Sequence, residues 1–72
     1  MKVKIELNTM TDVTDFVGIV TAHPGQVYLS DGERQQICAK SQLGAILAKM
    51  EWDEIYCLCD DDISGKIVRF IV

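Results

Sequence analysis

The chain has 72 residues, of which 49% are hydrophobic and 25% are charged, and its formal net charge is −4. This length predicts a single domain over residues 1–72, because chains divide into two cores only at greater size, and the composition excludes a disordered protein. Seven basic residues against eleven acidic ones leave no positive surface for nucleic acid or anionic lipid. No apolar stretch approaches the ~20 residues of a membrane span, so membrane insertion is not expected either.

The first residues and the cysteines predict a cytoplasmic protein. Residues 2–7 alternate polar and apolar side chains and therefore lack the continuous apolar core of a signal peptide. Cys38, Cys57 and Cys59 are an odd number of thiols, which does not suit a disulfide framework. The alternation in residues 2–7 also predicts a first strand with one solvated face.

A first helix follows, with a capping residue at its start and a glycine at its end. Thr9 supplies a side-chain oxygen for the helix start, and Asp12 lies three positions later, close to a capping-box pattern. Gly25 after Pro24 ends the helix. Apolar residues at helical spacing predict its buried face: Val13, Phe16, Val17 and Val20.

A β-hairpin and a second helix are predicted in the middle of the chain. Residues 26–30 and 34–40 have strand character, and the Asp31-Gly32 pair between them is typical of a tight turn. Ser41 is a good N-cap residue. Apolar residues at the same helical spacing predict the buried face of the second helix: Leu43, Ile46, Leu47 and Met50.

The last part of the chain is predicted to hold a fourth strand and a short helix. Residues 54–59 form the strand, since their apolar side chains alternate. For residues 63–72 two interpretations stay open, a helix capped by Asp61 or Asp62 and a strand favoured by β-branched residues, and we favour the helix. Its apolar stripe would consist of Ile63, Ile67 and Ile71. The order β-α-β-β-α-β-α predicts an α+β fold with a four-stranded antiparallel sheet and helices on one face.

This order and three short motifs resemble the HPr family, the phosphocarrier proteins of the bacterial sugar phosphotransferase system. The motifs are Asp31-Gly32, the Ala-Lys-Ser-Gln-Leu-Gly segment at residues 39–44 and the Asp-Glu-Ile segment at residues 53–55. The resemblance is best over residues 27–60. It implies an open-faced β-sandwich of four antiparallel strands with helices on one side, with a shorter last helix than usual members have.

The resemblance fails at the phosphoacceptor histidine. Family members carry this histidine at the start of the first helix, closely followed by an arginine, and the position falls near Thr9, where this chain has neither. No Lys or Arg lies between Lys4 and Arg34 to hold a phosphoryl group. The chain is therefore identified as a degenerate member without a catalytic residue. The alternative is a working phosphocarrier with another acceptor such as His23, the only histidine.

The second helix holds the candidate site residues that the resemblance implies. Ser41 matches a regulatory phosphorylation site of Gram-positive family members, although an N-cap serine needs no further role. Leu43 and Ile46 match positions that contact partner enzymes in the family. Trp52 follows this helix, and its ring is expected either to extend the partner surface or to cover the rim of a small core.

No metal or cofactor is expected. Cys57 and Cys59 lack the spacing and the further ligands of a zinc site and are predicted to be buried thiols, while the acidic residues 60–62 are predicted to form a solvated turn. The resulting hypothesis is a bacterial regulatory or protein-interaction module of HPr type. Its protein partner would be a phosphotransferase-system enzyme or a transcriptional regulator. A structural or oligomer-forming domain is the remaining alternative.

Overall fold

Four strands and two α-helices make up most of the fold, which a computed structural model describes for all residues 1–72. The elements in chain order are β1 (Lys2–Ile5), α1 (Met10–Thr21), β2 (Val27–Ser30), β3 (Gln36–Cys38), α2 (Gln42–Glu51), β4 (Ile55–Cys59) and a 3-10 helix (Val68–Phe70). The strands form one antiparallel sheet in the order β1-β4-β2-β3. The structure thus has the predicted α+β architecture of an open-faced sandwich.

One face of the sheet is apolar, because side chains alternate between the two faces along each strand. The strand register places Val3 opposite Cys57 and Cys57 opposite Leu29, and Leu29 also pairs with Ile37 of β3. Cys57 and Leu29 are fully buried in this row, whereas Tyr56 lies on the other, half-exposed face. The two helices therefore cover the apolar face.

Helix α1 begins and packs as its sequence predicts. Thr9 is the N-cap, and its Oγ1 accepts a hydrogen bond from the backbone N–H of Asp12 at 3.0 Å. Phe16 contacts Phe70 edge to face, with ring centroids 5.5 Å apart. Burial of the predicted apolar face is confirmed for all four residues: Val13, Phe16, Val17 and Val20. All four side chains belong to the single hydrophobic core.

The face of helix α2 that packs against the core is not the one that the spacing of its large apolar residues predicts. The buried residues are Ala45 and Ala48, while Leu47 and Met50 are exposed, so the predicted burial of this face is wrong. Ile46 is only half-buried and packs against the core. The physical reason is that small side chains let the helix axis lie close to the sheet, where larger side chains would not fit.

The hairpin between β2 and β3 is longer than a two-residue turn. Ser30 pairs with Gln36, so residues 31–35 form the loop, and Asp31 Oδ1 accepts three backbone N–H groups from the next residues of the loop. Gly32 has a positive φ of 88°. A Cβ atom at Gly32 would lie 2.7 Å from the ring of Tyr56, so both the backbone conformation and the space require glycine.

The C-terminal segment contains a 3-10 helix of three residues, Val68–Phe70, within residues 63–72, where a short helix is predicted. Ile67 and Phe70 are buried, and Ile71 makes an isolated antiparallel bridge with Ile5. Two further backbone hydrogen bonds join this segment to β1 and to Glu6, the residue that follows β1. Val72 N–H donates to Lys4 O at 3.1 Å, and Glu6 N–H donates to Phe70 O at 2.8 Å. The β-branched residues thus favour extension along β1 over a longer helix.

Candidate functional site

Ser41 lies at an exposed helix start. It is the N-cap of α2, and its Oγ accepts a hydrogen bond from Gly44 N–H at 3.1 Å. The first turn of α2 contains no acidic residue, so the positive end of the helix dipole is not neutralised there. Gly44 lies close to β3, because a Cβ atom at this position would be 3.2 Å from Ile37 Cδ1. The hydroxyl of Ser41 is therefore both a structural cap and accessible from solvent.

Three large apolar side chains form a stripe on the solvent side of α2. Leu43 is 67% exposed, Leu47 is 46% exposed and Met50 is 70% exposed. Their positions differ by four and three residues, so they lie on one face of the helix. We call Leu43, Leu47 and Met50 the α2 patch. Contiguous exposed apolar side chains of this kind mark contact surfaces more often than scattered ones do.

Ile46 and Trp52 lie beside the α2 patch but are not fully on the surface. Both are half-buried and pack against the core, which agrees with the alternative that Trp52 covers the rim of the core. Trp52 also lines a shallow cleft of about 110 Å³ together with Leu47 and Ile37. Its ring therefore connects the core to the surface of α2.

A second cleft at the C-terminal end of α2 is strongly acidic. It has a volume of about 490 Å³ and Trp52 is its one apolar side chain. Hydrogen bonds from backbone N–H groups, that of Glu33 first, lower the pKa of Asp31. The hydroxyl of Tyr56 and then the charge of Lys4 lower the pKa of Glu54. Five carboxylates line this acidic cleft: Asp31, Glu33, Glu51, Asp53 and Glu54.

The start of α1, where the family resemblance expects the phosphoacceptor, is occupied by an ion-pair network. Arg69 donates to Asp12 Oδ1 at 3.0 Å and to Asp15 Oδ2 at 3.1 Å. The fold thus brings the positive charge of Arg69 to this helix start. This cation comes from the C-terminal segment, whereas the sequence between Lys4 and Arg34 contains none. Two carboxylates already pair with this cation, and Thr9 offers no imidazole, so the arrangement stabilises the start of the helix.

His23 lies just beyond the C-terminal end of α1 and is buried. Its side chain is 9% exposed, and Nε2 lies 2.9 Å from Asp61 Oδ2. Its backbone carbonyl accepts a hydrogen bond from Lys40 Nζ at 2.6 Å. Asp61 could not be recognised as a partner of His23 from a motif, because 38 residues separate the two. A buried ring presents little surface to a phosphoryl donor.

The two cysteines of β4 are buried thiols, as predicted. Burial raises the pKa of the Cys57 thiol to about 11, and the neighbouring Cys59 adds to the shift. Cys38 is exposed. Cys59 lies near His23 and Asp61, and one donor atom from each of these three residues falls within 4.8 Å of the others. This cluster was not predicted, since no short spacing in the sequence connects His23 with the other two residues.

Comparison with known proteins finds no matching family model, no matching curated protein and no matching solved structure. Within the structure itself, none of the helices has both the length and the apolar character needed to cross a bilayer.

Proposed function

We propose that this protein is a regulatory or protein-interaction module of HPr type that binds a protein partner through α2 and does not transfer phosphoryl groups. The observation that carries the proposal is the α2 patch, which places Leu43, Leu47 and Met50 in solvent on one helix face. In an acidic protein of this size, such side chains would be more stable against a partner than against water.

The charges around α2 favour a partner with a basic rim. The acidic cleft adjoins Trp52, and Trp52 also lines the small apolar cleft beside Leu47. Apolar anchors at the centre and charges at the edge are the usual arrangement of a protein interface. The complementary surface therefore carries apolar side chains for the α2 patch and Lys or Arg residues for the acidic cleft.

Ser41 is the proposed point of regulation. A phosphoryl group on its Oγ would add negative charge at the start of α2, where the N–H groups and the helix dipole favour it. The same group would lie two residues before Leu43, at the edge of the α2 patch. Phosphorylation would then change partner binding by altering the charge of the contact surface, with little change to the fold.

Binding is tested with isotope-labelled protein and two purified candidates, the first enzyme of the phosphotransferase system and a transcriptional regulator of sugar genes. We expect backbone NMR shifts to change along α2, and Leu43→Asp to weaken binding ~10-fold or more, as for the loss of an apolar anchor. Val68→Asp is the matched control, because Val68 has the same 67% exposure on a different element. Equal affinities of the two variants, or no binding to either candidate, would contradict the proposal.

Phosphotransfer is tested separately by incubation with phosphoenolpyruvate and the first enzyme of the system. We expect no acid-labile adduct by mass spectrometry, because the start of α1 has no imidazole and His23 is buried. A stoichiometric phosphohistidine that disappears in His23→Ala would establish the alternative, a phosphocarrier with His23 as acceptor.

A further inference from the structure

The structure assigns a binding site for one zinc ion to His23, Cys59 and Asp61, which we call the His23 cluster. This inference does not depend on the proposed function, because the cluster lies at the end of α1 and β4, whereas the partner surface lies on α2. Its first basis is proximity, since a ring nitrogen of His23, Sγ of Cys59 and a carboxylate oxygen of Asp61 all lie within 4.8 Å of one another.

The separations suit a tetrahedral ion after small side-chain movements. Zinc bonds to nitrogen, oxygen and sulfur place the ligand atoms about 3.4–3.6 Å apart. His23 Nε2 and Asp61 Oδ2 are now 2.9 Å apart and would open by about half an ångström to reach that spacing. The Asp61 side chain is 65% exposed and can rotate, while His23 and Cys59 are held by the core. One side of the cluster is thus open to solvent for metal entry and for a fourth ligand.

The ring nitrogen of His23 that would bind the ion is Nε2, because it is the one that lies beside Asp61. A neutral imidazole has one bare nitrogen, so the ring proton would lie on Nδ1 when Nε2 binds zinc. Nδ1 is buried and has no hydrogen-bond partner. His23 therefore contributes one donor atom to the site.

Gly25 provides the second basis, because it leaves room where the donor atoms meet. A Cβ atom at Gly25 would lie 3.1 Å from His23 Nε2 and 3.3 Å from Asp61 Oδ2. Both distances are tighter than ordinary van der Waals contact, so a side chain at this position would push against the donor atoms. The absence of a side chain keeps the donor atoms of His23 and Asp61 free to receive an ion.

The chemistry of the donors selects the metal. One imidazole nitrogen, one thiolate and one carboxylate form a mixed set that suits zinc, whereas calcium and magnesium take oxygen ligands. On binding, the Cys59 thiol gives its proton to solvent and a lone pair of its sulfur forms the bond to zinc. No group is oxidised or reduced in this step.

The test uses the full chain with Cys38→Ser, which removes the exposed thiol. The protein is titrated under reducing conditions with zinc chloride, followed by calorimetry and thermal unfolding, and with cobalt(II) followed by absorption. We expect one equivalent of metal, a higher Tm with zinc and a thiolate-to-cobalt charge-transfer band. Loss of this band is expected in Cys59→Ser and loss of binding in His23→Gln.

Asp61→Asn keeps the test decisive if the core variants fail to fold, because Asp61 is exposed. We expect this substitution to weaken zinc binding ~10-fold or more. Removing a residue that only orients a metal ligand already has an effect of this size, and Asp61 is proposed to be a ligand itself. Asp60→Asn, an exposed neighbour outside the cluster, is the matched control and should bind as the parent does. Absence of bound zinc, absence of the thiolate band in the parent, or equal affinities of the two Asn variants would overturn the assignment.

Discussion

The two α-helices begin with the same kind of cap and differ in what surrounds it. Thr9 caps α1 and Ser41 caps α2, each by a side-chain oxygen that accepts a backbone N–H three residues later. At α1 the first turn contains Asp12, and Arg69 pairs with it from the C-terminal segment. At α2 the first turn has no acidic residue, and the first large apolar side chain of the helix, Leu43, is exposed.

This difference separates a helix start that serves the fold from one that is open to solvent. The positive dipole end of α1 is already matched by carboxylates within the protein. Arg69 pairs with these carboxylates and so connects the C-terminal segment to the start of α1. The dipole end of α2 has no such match and adjoins the α2 patch. The start of α1 is therefore occupied by contacts within the protein, and the surface that stays open lies on α2.

The largest effect is expected from releasing the segment that carries Arg69. Phe70→Ala removes the buried ring that packs against Phe16 and should cost about 3–5 kcal/mol in the free energy of unfolding. Urea titration followed by the fluorescence of Trp52 measures it. Val68→Ala on the same 3-10 helix is the control, with a change within about 0.5 kcal/mol because Val68 is exposed. Equal losses in the free energy of unfolding for the two variants would mean that the packing of Phe70 against α1 does not stabilise the protein.

The two caps are expected to contribute about equally. Thr9→Ala and Ser41→Ala each remove one capping hydrogen bond and should each cost about 1 kcal/mol, measured by the midpoint of urea unfolding. Because Ser41 is proposed to act in regulation as well, its variant should also lose any phosphorylation by a serine kinase, whereas Thr9→Ala should not change it. A Ser41→Ala variant that keeps full phosphorylation would remove Ser41 from the proposed function.

Breaking the ion pairs at α1 should have a smaller effect. Arg69→Gln leaves Asp12 and Asp15 without their cation, but Arg69 is about half exposed, so we expect a cost of about 0.5 kcal/mol. The loss should shrink in high salt, where the pairs are already screened. A cost that is independent of salt would show that packing of the Arg69 chain matters more than its charge.

The smallest effect is expected from adding a negative charge at the start of α2, where no acidic residue balances the helix dipole. Ser41→Asp keeps a capping oxygen and adds a negative charge, so it should stabilise the protein by about 0.3 kcal/mol at low salt. Thr9→Asp adds the same charge beside Asp12 and should give no gain, because like charges repel. Thermal unfolding of both variants at low and high salt compares them, and identical shifts would contradict the difference between the two helix starts.

Local signals in the sequence predicted most of the fold. The period-two pattern of β1, the caps Thr9 and Ser41 and the apolar face of α1 are properties of neighbouring residues, so they are visible without a structure. The buried face of α2 was predicted wrongly, because a helix with both a Leu and Met stripe and an Ala stripe can turn either one inward. Close packing on a small sheet favours the alanines.

The candidate site was less predictable, because its key contacts join distant parts of the chain. Asp61 meets His23 across 38 residues, and Arg69 meets Asp12 across 57. Neither pair has a spacing that a motif could capture. Leu43 was identified from the family resemblance, whereas the exposure of Leu47 and Met50 required the orientation of α2, which only tertiary packing determines.

The bonds between the last residues and β1 also govern how the sheet can meet other chains. Open outer strands invite another chain to add a strand, both in aggregation and in peptide recognition. Here the backbone of Val72 pairs with Lys4 along one outer strand, and the other outer strand, β3, has only three residues. Strand addition is thereby disfavoured at both borders of the sheet.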